Sequence, residues 1–84
     1  MREDIRQEEK NMRRLRFIVD FTEALLRQPH FTLQESLDQI ANAKKAALTI
    51  FPEKESVYDL IYTPRFRRIL RERFTIPGSR SGRN

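Results

Sequence analysis

Leu15, Ile18, Val19, Thr22, Leu25 and Leu26 recur at spacings of three and four residues, the pattern that lines one face of an α-helix. Ile5 and Met12 extend this stripe weakly toward the N-terminus, so a helix is predicted from about Glu3 to Gln28. At ~1.5 Å per residue it would be roughly 40 Å long, more than a small domain needs. Its first turns, within residues 1–12, are expected to project or fray.

Prolines at 29, 52, 64 and 77 divide the rest of the chain. Thr32 followed three residues later by Glu35 reads as a capping box that opens a second helix. Leu33, Leu37, Ile40, Ala41, Ala47, Leu48 and Phe51 are predicted to form its inner face, and the alanines at 41, 43, 46 and 47 would let another helix approach closely. Pro52 stops it, because the residue before a proline avoids the α region. A short helix through Val57, Leu60 and Ile61, capped by Ser56 with Asp59, is expected next; no other segment offers a partner for a strand at 57–62. Thr63 as N-cap and Pro64 as first residue then start a helix whose apolar face is Phe66, Ile69, Leu70 and Phe74, with Arg65, Arg67, Arg68 and Arg71 opposite.

These blocks predict an all-α fold, a small bundle of three to four helices with a long N-terminal helix. One helical domain over residues 1–76 and a flexible basic tail over 77–84 complete the expected organisation. At 84 residues the chain buries only roughly 60% of its unfolded surface, so a lone core is marginal.

Composition narrows the chemistry. There is no cysteine, so neither a disulfide nor a thiolate metal site is available. The two glycines, at 78 and 82, are too late in the chain to build a phosphate-binding loop. The N-terminal MREDIRQEEKN has no apolar core and is rich in acids, unlike a secretory signal, and the apolar run from Phe17 to Leu26 is too short for a bilayer. A cytoplasmic location without a membrane span is the expectation. The formal charge of +5 is unevenly placed: residues 1–19 carry +2, residues 20–63 carry −3 and residues 64–84 carry +6.

Two features point to binding. At ~100° per residue, Phe17, Phe21 and Ala24 fall opposite Leu15 and Leu26, so the first helix is apolar on two sides. Such a helix is either sandwiched inside its own domain or shared between subunits, and Phe17 and Phe21 are the candidates for self-association in a homodimer. The second feature is the basic face of Arg65, Arg67, Arg68 and Arg71, flanked by Tyr62, which suits an acidic protein or other polyanion. Its plain alternative is a solvated face, or one paired with acids such as Asp20, Glu23, Asp38 and Asp59. Of the aromatics around the Thr63–Pro64 junction, Phe66 is expected inside and at least one of Tyr58 and Tyr62 half covered.

Catalysis has little to stand on. His30 is the only histidine and reads as a turn residue; the carboxylate pairs Asp20/Glu23 and Glu35/Asp38 lack the Glu-x-x-His partner of a di-iron site. The expectation is therefore a non-enzymatic interaction protein, homodimeric, without metal or cofactor. The alternative is a nucleic-acid-binding regulator that uses helix 64–74 and the basic tail, with 56–62 as the leading element of a helix-turn-helix.

Overall fold

Four helices follow one another along the chain: α1 (Arg2–Leu26), α2 (Leu33–Ile50), α3 (Glu55–Ile61) and α4 (Thr63–Arg73). The computed structural model describes residues 2–74, so the predicted tail at 77–84 lies outside the described residues. The fold is all-α as expected, and the segment at 57–62 is helical. α1 and α2 form the most extensive pair, α4 lies across both, and α3 packs on α4. The Cα extents of 55 × 27 × 14 Å amount to a slab two helix layers deep, given axes roughly 8–10 Å apart.

Local chemistry sets the helix ends. The Thr32 hydroxyl accepts from the Glu35 backbone N–H at 3.0 Å and the Glu35 carboxylate accepts from the Thr32 N–H at 2.9 Å, the reciprocal capping box. α1 ends in a different way. The Arg73 guanidinium, from the far end of the chain, donates to the carbonyls of Leu26 and Pro29 at 3.0 Å and of Phe31 at 2.9 Å. One cation thereby satisfies carbonyls at the negative end of a helix and in the turn that follows.

Two expected caps are displaced. α3 begins at Glu55 with Lys54 before it, and no side chain caps it, so Ser56 lies inside the helix. Tyr62, which is itself αR, precedes α4, which places Thr63 within the helix. The Thr63 hydroxyl donates instead to Asp59, one turn back, at 2.9 Å. α3 and α4 are thus nearly continuous: Tyr62 N–H bonds to the Tyr58 carbonyl and Phe66 N–H to the Tyr62 carbonyl. Pro64 breaks the ladder between them because it has no N–H and its ring crowds the carbonyl four residues earlier.

The core consists of Leu15, Val19 and Leu26 from α1, Ala43 and Ala47 from α2, Tyr58 from α3, and Phe66 and Ile69 from α4. Thr22 is also buried, while Ile18 and Leu25 of the predicted α1 stripe are half-buried. The α2 face differs from expectation. Leu33, Leu37 and Ala41 are exposed, Ile40, Leu48 and Phe51 are half-buried, and Ser36 and Ala43 are inside with Ala47. The helix is rotated so that its small residues meet α1, since Ser and Ala permit a closer approach than Leu. The first turns of α1 do not fray: the helix runs from Arg2, and residues 2–10 project as an exposed helical overhang.

Substitutions on α2 separate the expected inner face from the observed one. Ala43→Leu should overpack the α1–α2 contact and cost about 1–3 kcal/mol. Leu37→Ser, on the exposed shoulder, should stay within about 0.5 kcal/mol of the parent in urea denaturation.

Candidate interaction surfaces

α1 shows two apolar sides, and the fold covers one. The Leu15–Leu26 stripe faces α2 and α4. On the far side Phe17 and Phe21 are 67% and 52% exposed, with ring centroids 5.8 Å apart and planes inclined by only 13°. One helical turn separates them, so their rings stack into a flat ridge. Among the described residues no element lies beyond this face, so the described helices do not sandwich α1 on both sides. Lys10, Arg13 and Arg14 border the ridge, together with Ile18.

The sequence pattern does not reveal a second apolar surface. Met12 and Leu15 of α1, Leu48 and Phe51 at the end of α2, and Val57 and Ile61 of α3 line a groove of about 320 Å³. Val57, Leu60 and Ile61, the apolar residues of the short helix expected from sequence, are all exposed, Leu60 at 77%. α3 has too few residues to turn all its apolar positions inward once Tyr58 has taken the core position. Only that competition, which is tertiary, exposes them.

The predicted arginine face is divided between structure and solvent. Arg65 pairs with Glu23 of α1 at 2.9 Å and its guanidinium lies 5.6 Å from the centroid of the half-buried Tyr62 ring. Arg65 and Tyr62 are therefore committed to holding α4 on α1. Arg67, Arg68 and Arg71 are exposed; Arg67 and Arg71 flank an open cleft of about 580 Å³ between α2 and the α3–α4 rod. Phe66 is fully buried, as expected.

Lys44 of α2 stands in the same cleft and joins α2 to α3. Its ammonium reaches Glu55 and Asp59, each at 3.0 Å. Hydrogen bonds that its ammonium donates to Glu55 and then to Asp59 hold the Lys44 pKa above its usual 10.5. Asp59 is held below the ordinary carboxylate value by Lys44 and then by the Thr63 hydroxyl. Beside them Tyr58 is buried and its hydroxyl has no hydrogen-bond partner among the described residues. Burial pushes its phenol up to about 12, against the pull of the Lys44 charge. The sequence gives no signal for this cluster, because Lys44 and Asp59 are fifteen residues apart on different helices.

Other sequence candidates stay apart. His30 is exposed in the α1–α2 turn, edge-on to Phe31 at 5.3 Å. Among the described residues no three His, Asp or Glu side chains gather as metal ligands, and no helix is long and apolar enough to cross a bilayer. The junction between α3 and α4 is one residue, Tyr62, whereas a helix-turn-helix needs a turn of three to four.

These shifts fix the pH response. Tyr58 and Lys44 bind their protons more tightly in the folded chain than in the unfolded one. Their contributions are intact below about pH 10 and are lost as the pH rises through the raised values. Asp59 has the opposite sign: its contribution is present above the ordinary carboxylate pKa and is lost as the pH falls through the lowered one. Tyr58→Phe should therefore flatten the loss of stability between pH 10 and 12 in urea titrations. It should leave stability at neutral pH unchanged or higher, because the hydroxyl it removes is unpartnered. Compared with known proteins, the chain matches no family model, no curated protein and no solved structure.

Proposed function

We propose that the chain is a non-enzymatic interaction module that forms a homodimer through the outer face of α1 and docks an acidic protein through the outer face of α4. The observation that carries the first half is the stacked, exposed Phe17–Phe21 pair. Large apolar side chains scattered singly over a surface need no explanation; two stacked aromatic rings bordered by cations have the makeup of an interface centre. A chain this small also gains core by pairing.

The docking half rests on charge. With Arg65 and Arg73 engaged within the fold, Arg67 and Arg68 present outward charge on α4. Exposed ion pairs contribute well under about 1 kcal/mol each, so an acidic partner also needs apolar contact. The Ile40, Ala41 and Pro64 lining of the neighbouring cleft supplies it. Nucleic acid is the competing polyanion. It has the cations in its favour but not the recognition geometry, since α3 and α4 do not form the expected turn.

Light scattering at micromolar concentration should give twice the chain mass of 10.1 kDa, and Phe17→Glu with Phe21→Glu should return it to one copy. A parent protein that stays monomeric overturns the self-association reading. For α4, fluorescence anisotropy with a poly-glutamate peptide and with duplex DNA is compared from about 50 to about 200 mM salt. Peptide binding lost in Arg67→Glu/Arg68→Glu supports the acidic-partner reading. Tight DNA binding with a log–log salt slope near −0.9 per phosphate would replace it.

A further inference from the structure

Arg13, Arg14 and Asp20 are exposed beside the Phe17–Phe21 ridge, and none forms an ion pair among the described residues. From their positions we infer that two copies pair antiparallel along α1, with the two-fold axis beside Phe17. This inference rests on the self-association reading and adds its orientation and register.

The helical wheel carries the argument. At ~100° per residue, Phe17 and Phe21 define the centre of the face. Arg13 and Asp20 then lie together on one edge, and Arg14 lies on the other. When two identical helices pair antiparallel about a two-fold axis, like edges meet. Residues equally far before and after Phe17 also stand at the same height. Arg13 of one copy therefore comes level, within one residue rise of about 1.5 Å, with Asp20 of the other. Symmetry makes this contact twice. On the opposite edge Arg14 comes within the same rise of the Phe21 ring of the other copy, also twice, in position for a cation–π contact. Phe17 meets Phe17 at the axis.

The alternative orientation fails on the same residues. In a parallel pair opposite edges meet, so Arg13 of one copy would face Arg14 of the other, twice, with no acid between them. Like charges set against each other disfavour that arrangement and select the antiparallel one. Exposed ion pairs add little affinity, so the rings supply the attraction and the charges supply the register. Four rings, half to two-thirds exposed before pairing, remove about 500 Å² of aromatic surface from water, with full Phe side chains burying roughly 150–250 Å² each. The half-buried Ile18 and Leu25, Ala24 and the arginine stems extend the patch toward the roughly 1,200 Å² at which specific interfaces begin.

Charge reversal tests the register directly. Asp20→Arg sets arginine against Arg13 twice in its own homodimer, and Arg13→Asp sets aspartate against Asp20 twice in its own. Each variant alone should fall to the monomer mass in light scattering, with the helical circular dichroism of the parent because both positions are exposed. Mixed one to one, the two variants regain both pairs and should return to the dimer mass. The double variant Arg13→Asp/Asp20→Arg should also be dimeric alone. A parent dimer that survives either single reversal, or reversed variants that stay monomeric when mixed, overturns this register but leaves the ridge as the interface. A monomeric parent overturns both.

Discussion

α1 carries apolar side chains on two sides between Leu15 and Leu26, and the described helices cover only one of them. The rest of the architecture depends on that imbalance. α2 and α4 are drawn to the Leu15–Leu26 stripe, the stripe becomes the core, and Phe17 and Phe21 are left outside as a stacked ridge. A larger protein would bury the second side beneath another layer. Among the described residues the slab has no further layer, and Phe17 and Phe21 stay exposed.

The polar contacts serve the same arrangement. Arg65 fixes α4 to α1 through Glu23, Lys44 fixes α2 to α3 through Glu55 and Asp59, and Arg73 closes the C-terminal end of α1 and its turn. Of the basic face read from sequence, Arg65 is thus engaged in holding α4 on α1. Each contact is partly exposed and modest by itself. Together they set the orientation of helices whose apolar contacts, made by Ala43 and Ala47 on α2, are small.

Among the described residues the exposed surface includes regions of different character: an aromatic ridge bordered by cations on α1, an apolar groove between α1, α2 and α3, and a cationic outer face on α4. Tyr58, the one group with a large displacement of its pKa, is walled into the core with an unpartnered hydroxyl, where it reports burial.

By itself the sequence determined what short-range physics controls. The α1 stripe follows from helical periodicity, and the Thr32–Glu35 capping box from two side chains within one turn. The proline at 64 marks the break between α3 and α4, and the apolar Phe66–Ile69 face of α4 is legible in the same way. The position of Phe17 and Phe21 opposite the core stripe was also readable, because it is a matter of angle along one helix. Tertiary structure decided what depends on competition between elements. It rotated α2 so that Ser36 and Ala43 faced α1 in place of Leu33 and Leu37, because the distance between two helices is set by both. It left Val57, Leu60 and Ile61 exposed, because Tyr58 holds the core position of the short α3. It also divided the arginines of α4 between internal partners and solvent. A charge's partner is chosen by where distant helices lie, and no local spacing in the chain encodes that.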